Sequence, residues 1–165
     1  MLNLKKKLRK QHSNNSRLLL CLLLIFFNSN SLLLADSAWL ITPNEYLLLG
    51  NGVSDNVELL NNNDANGPII VLDKPKITDK VLAPVNITIN FLPGKSDALP
   101  NMESLTVLLK GLITIDITNR IKPYINGNIL EITDAKIPKG KHKILFMIQD
   151  NEENYSERLI KFKIS

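Results

Sequence analysis

From Pro68 to Ser165 apolar and polar residues alternate with a period of two. The clearest run is Val85-Asn86-Ile87-Thr88-Ile89-Asn90-Phe91. It puts Val85, Ile87, Ile89 and Phe91 on one face of a strand, with Asn and Thr on the other. Ile144, Phe146 and Ile148 alternate within Lys143 to Ile148. Leu145 and Met147 fill the positions between them, so that strand is expected to be covered on both sides. Ile160, Phe162 and Ile164 alternate with Lys161 and Lys163 in the last run, Arg158 to Ile164. Weaker runs predict strands over Ile69–Leu72, Ser104–Leu109, Leu112–Ile115 and Asn128–Ile132. Pro93-Gly94, Asn126-Gly127 and Pro138-Lys139-Gly140 supply turns between them. About seven short strands with no long helical period predict an all-β sandwich over residues 68–165.

Residues 36–67 read differently. Thr42-Pro43-Asn44-Glu45 carries a helix start: Thr as N-cap, Pro at the first helical position and Glu three residues after the cap. Tyr46-Leu47-Leu48-Leu49 continues the helix and Gly50 can close it. One or two turns are not stable alone, so the apolar side chains should dock on something. Asn61-Asn62-Asn63-Asp64-Ala65-Asn66-Gly67 is polar and turn-prone, and reads as a linker.

The first 35 residues fall into three parts. Lys5, Lys6, Lys7, Arg9, Lys10 and Arg17 make a basic start without an acid. The uninterrupted apolar run Leu18 to Phe27 follows, and small residues come after it at Ala35, Ser37 and Ala38. This is the order of a secretory signal peptide, with cleavage after any of those three. The alternative is an uncleaved N-terminal anchor, although ten apolar residues fall short of the roughly 20 that span a bilayer. Either reading puts the domain outside the cytoplasm, in the periplasm or beyond the cell. Cys21 is the only cysteine and lies inside the apolar run behind three leucines, which does not suit lipidation. Residues 36–165 therefore have no disulfide, thiolate metal site or Cys nucleophile, and rely on an apolar core.

The formal charge of +4 belongs to the leader. Its six cations leave fourteen against all sixteen acids in the remainder, a net of −2. A nearly neutral domain lacks the electrostatic footprint of phosphate binding, so no nucleic acid is expected as partner.

Ile137-Pro138-Lys139-Gly140-Lys141-His142 leads into Lys143 to Asp150, the polar turn Asn151-Glu152-Glu153-Asn154-Tyr155-Ser156, and Arg158 to Ile164. This resembles the last hairpin of bacterial immunoglobulin-like domains. Gly67-Pro68-Ile69-Ile70-Val71, Lys74-Pro75 and Ala83-Pro84-Val85 resemble their first strands. Trp39-Leu40-Ile41-Thr42-Pro43-Asn44-Glu45 is similar to a segment that precedes one such domain in secreted bacterial proteins without an assigned activity. The resemblance implies an immunoglobulin-like β-sandwich and is almost silent on function. The family's hairpin turn has Gly before Asn; Glu153 stands there in this chain, and a looser turn is expected.

Five groups of residues carry candidate chemistry. Asp150, Glu152 and Glu153 are oxygen ligands of the kind calcium takes, or a solvated turn. His142, the only histidine outside the leader, has no second histidine to work with, and reads as a residue packed near the Pro138–Gly140 corner. Asp116-Ile117-Thr118-Asn119-Arg120 is a recognition loop, or a turn in which Asp116 or Thr118 caps an amide and Arg120 pairs with a carboxylate. Lys136, Lys139, Lys141, Lys143, Lys161 and Lys163 are an acid-binding patch or the wet face of a sheet. Trp39 and Tyr46, with Leu40 and Leu47 to Leu49, either pack on the domain or dock a partner.

No nucleophile–base pair or metal motif has recognisable spacing, so neither catalysis nor a cofactor is expected. The expected function is an exported binding or scaffold module for another envelope protein, acting through a sheet edge or through loops. The alternatives are a structural protein held at the membrane by an uncleaved leader and, second, an enzyme whose paired carboxylates converge only in the fold.

Overall fold

The computed structural model describes residues 39–50, 66–76 and 81–165. The leader over 1–35 and most of the Asn-rich linker lie outside the described residues. A short helix, α1 (Pro43–Leu48), precedes β1 (Ile69–Lys74), β2 (Val85–Leu92), β3 (Pro100–Lys110) and β4 (Thr114–Asp116). Then come the one-turn helix α2 (Thr118–Ile121), a 3-10 turn over Lys122–Tyr124, β5 (Ile125–Asn126), β6 (Ile129–Ala135), β7 (Gly140–Asp150) and β8 (Tyr155–Ile164).

The strands form two antiparallel four-stranded sheets, ordered β1-β2-β6-β5 and β4-β3-β7-β8. Alternation decides what each sheet buries. Ile87, Ile89 and Phe91 of β2 and Leu130 and Ile132 of β6 face inward from the first sheet. Val107 and Leu109 of β3, Ile144, Phe146 and Ile148 of β7 and Ile160 of β8 face inward from the second. All belong to one apolar cluster, and each such side chain contributes about 1.5–3 kcal/mol on burial. With no disulfide in this part of the chain, that cluster is the main source of stability.

The predicted strands all occur, with shifted ends. The run Leu112–Ile115 becomes Thr114–Asp116, because the Gly111 amide donates to the Ile113 carbonyl and closes a turn over Leu112. β3 begins at Pro100, four residues before the predicted start. Its register shifts between Asn101 and Thr106, which breaks the alternation the sequence would show. β5 is only two residues long and α2 one turn, too short for a periodic signal.

The β7–β8 turn is tight. The Glu153 amide donates to the Asp150 carbonyl, and the Asp150 amide to the Asn154 carbonyl. Glu153 takes the left-handed conformation, φ 65°, that a glycine would take there. The expected looser turn is therefore not formed: Glu153 accepts the strained backbone instead, because the Asp150 side chain holds the turn from beneath. Such a conformation costs a non-glycine residue about 1–2 kcal/mol. Glu153→Gly should raise stability by roughly 0.5–1 kcal/mol, glycine's extra unfolded freedom offsetting part of the relief. Urea unfolding of the two chains reads the difference.

Candidate functional site

The segment before the domain is seated on it. Thr42 and Glu45 form the predicted capping box: the Glu45 amide donates to Thr42 Oγ1 at 3.2 Å, and the Thr42 amide to Glu45 Oε2 at 2.8 Å. The same carboxylate then reaches 75 residues along the chain. Arg120 donates from Nη2 to Glu45 Oε1 at 2.7 Å and from Nη1 to Oε2 at 3.0 Å. Nη1 also donates to the Leu40 carbonyl at 2.6 Å. The Arg120 guanidinium outweighs partial burial and holds the Glu45 carboxyl down to about 2.

Two glycines form the seat. A Cβ at Gly111 would strike the backbone of Leu49, and one at Gly140 the Tyr46 ring. Leu49 in turn accepts the Leu112 amide at its carbonyl, 3.1 Å away. Gly50, at φ 80°, closes the helix as predicted. Leu40, Ile41 and Leu49 are buried in the domain core, and Trp39 bridges Lys136 as a parallel strand would. Tyr46 is half-buried and packs on the same core; Trp39 remains partly exposed. Of the two expected partner-docking residues, Tyr46 is thus spent within the chain.

Tyr46 lies over His142, ring centroids 5.0 Å apart, and Phe162 stacks on the other side at 5.4 Å. His142 is buried, and its Nε2–H donates to the Pro138 carbonyl at 2.7 Å. Burial, the larger effect, pushes the imidazole below its ordinary pKa, although the Pro138 carbonyl favours the cation. The aromatic rings of Tyr46 and Phe162 on either side supply that burial.

Asp150 is buried and its carboxylate is fully occupied. Oδ1 accepts the amides of Glu152 and Asn154, both at 2.9 Å. Oδ2 accepts Asn154 Nδ2 at 2.9 Å and Ser96 Oγ at 3.0 Å. Burial opposes ionisation, yet the Asn154, Glu152 and Ser96 donors together keep the carboxyl below its ordinary value. Glu152 and Glu153 are exposed. The three expected calcium ligands therefore do not assemble, and among the described residues no His, Cys, Asp and Glu group is placed to hold a metal. Asp116 Oδ1 accepts the Thr118 amide at 2.8 Å, and Thr118 Oγ1 accepts the Val107 amide at 2.9 Å. With Arg120 tied to Glu45, this stretch is architecture.

What remains outward are two sheet faces. On the first sheet Ile69 lies opposite Leu92, and Asn90 lies between Val71 and Ile129. Ile69, Leu92 and Ile129 are all exposed. On the second, Lys141 lies opposite Lys163 and Lys143 opposite Lys161. The six-lysine cluster of the sequence thus resolves into four residues on one face, of which Lys141 and Lys163 are exposed, Lys161 is half-buried and Lys143 buried, with Lys136 and Lys139 in the β6–β7 connection.

The clasp has a pH signature. Glu45 titrates far lower folded than unfolded, so its contribution is complete above about pH 4.5 and is lost as pH falls toward about 2. Solvent still reaches the pair, so Arg120→Ala should cost about 1–2 kcal/mol at neutral pH. It should also flatten the fall in stability between those pH values. Thermal melts across that range check both effects.

Compared with protein-family models, curated proteins and solved structures, the chain matches none of them.

Proposed function

We propose that the chain is an exported, non-catalytic immunoglobulin-like module that binds or scaffolds another protein of the cell envelope. The fold part of this reading is supported by strand order. With β4 set aside as an added edge strand, the other seven divide as β1-β2-β6-β5 and β3-β7-β8. Immunoglobulin constant-type domains divide seven strands in the same order. The export part rests on the tripartite leader.

The binding part rests on the outer face of the first sheet, where Ile69, Leu92 and Ile129 leave an apolar surface around Asn90. Exposed apolar residues grouped on a sheet face, with Glu131 and Lys74 at the rim, have the composition of a protein-docking patch. Strand addition at an edge is less well served. β4 and β5 are very short, the end of β8 is engaged, Val81 bridging Ile164 and Ser165 donating to the Val81 carbonyl, and on the six-residue edge strand β1 the Ile70 carbonyl accepts from Arg158.

The test is a photo-crosslinking residue in place of Leu92, in the full chain made in its native cell. An adduct with one exported protein, lost in Ile69→Lys and Ile129→Lys, is the expected result. Adducts spread over many proteins, or a chain recovered intact from the cytoplasm, would overturn the reading.

A further inference from the structure

The second sheet carries an unusual outer face. Reading across it, Lys141 lies opposite Lys163, and Lys143 opposite Lys161. One step beyond the Leu109–Ile144 pair, Lys110 comes level with Lys143. The next row is Asp116, Leu108, Leu145 and Leu159, and Glu157 lies one row further. Five lysines are thus gathered at one end of three strands, ahead of the first acid on that face: Lys141 and Lys163 are exposed, Lys110 and Lys161 half-buried, and Lys143 is buried between them. Like charges directly opposite one another cost a sheet stability.

The same end carries exposed aliphatic residues. Leu47 and Leu48 of α1 are 63% and 60% exposed, and Leu112 and Ile113 of the β3–β4 turn 74% and 45%. They are neighbours, because Leu49 accepts the Leu112 amide and rests on Gly111. The opposite end of these strands has reversed charge: Asp97, Glu103, Glu152 and Glu153, with Lys95 among them. At about 3.3 Å per residue, the length of β7 separates the two ends by some 30 Å.

We propose that the lysine-bearing end of the second sheet, with Leu47, Leu48, Leu112 and Ile113, is a contact surface for an anionic lipid bilayer. The chemistry fits both parts of a bilayer surface. Aliphatic side chains enter the acyl boundary, and ammonium groups meet the headgroups. A soluble polyanion offers the lysines a counter-charge but leaves the four aliphatic residues in water. Acids at the far end orient the domain, since an anionic surface repels them. Chain length agrees: eleven residues separate Phe27, the end of the apolar leader run, from Trp39. An uncleaved leader would keep this end within reach of the membrane. The proposal deepens the envelope reading and rests on its exported setting.

The experiment uses the full chain with Trp39→Phe and Leu112→Trp, so that one indole reports on the turn. The chain is reconstituted into vesicles of brominated phosphatidylcholine with or without phosphatidylglycerol. The expected result is quenching that requires phosphatidylglycerol and falls about tenfold in Lys141→Glu with Lys163→Glu. Leu47→Ser with Leu48→Ser should weaken it as well. All four of these residues are exposed, so the variants should fold, as urea unfolding checks. Quenching that ignores phosphatidylglycerol and the lysine reversals would overturn the proposal. So would absent quenching, including the case where heparin binds the same face tightly. A cytoplasmic location found by fractionation would remove the exported reading and leave the quenching result standing.

Discussion

One side chain holds the molecule's two sequence regions together. Glu45 caps its own helix through Thr42 and grips Arg120 through both carboxylate oxygens, while Arg120 also takes the Leu40 carbonyl. A six-residue helix has no stability of its own, so α1 exists because it is held. Once held, it lays Leu40, Ile41 and Leu49 into the core and Tyr46 over His142. The price is a pair of buried-edge charges, and it is small because each polar atom is satisfied. Among the described residues no buried side-chain nitrogen or oxygen lacks a partner.

Asp150 plays the corresponding part at the other end. Four donors converge on it, and Ser96 passes the connection on to the Asn66 carbonyl at 3.1 Å. There Gly67 and Gly94 bring two backbones too close for a Cβ at Gly94. The β7–β8 turn, the β2–β3 connection and the entry to β1 are thus pinned to one carboxylate. This also explains why Glu153 tolerates a left-handed backbone: the surrounding hydrogen bonds over-determine the turn.

The strands and the capped helix were legible because each obeys a local rule. Val85 to Phe91 alternates, and Thr42 to Glu45 spells a capping box within four residues. What was not legible depends on partners distant in the chain. His142 reads as an ordinary strand residue until Tyr46 and Phe162 are placed on either side of it. Asp150, Glu152 and Glu153 look alike in sequence, yet only Asp150 turns inward. Gly140 reads as a turn glycine, but its lack of a Cβ also makes room for Tyr46. The apolar trio Ile69, Leu92 and Ile129 comes from three strands and appears only once register is known.

Charge shows the same limit most clearly. A net of −2 over residues 36–165 argues against a polyanion partner only if the charges are mixed. They are not mixed on the second sheet. Antiparallel pairing sets the start of β7 beside the end of β8, and so aligns Lys141 and Lys143 with Lys163 and Lys161. It likewise sets the end of β7 beside the start of β8, gathering Glu152, Glu153 and Glu157 there. A strand with lysines at one end and acids at the other is unremarkable alone. Two of them paired head to tail, with mirrored sequences, make a face with two poles. Register alone brings the poles together, which is why no single strand shows them.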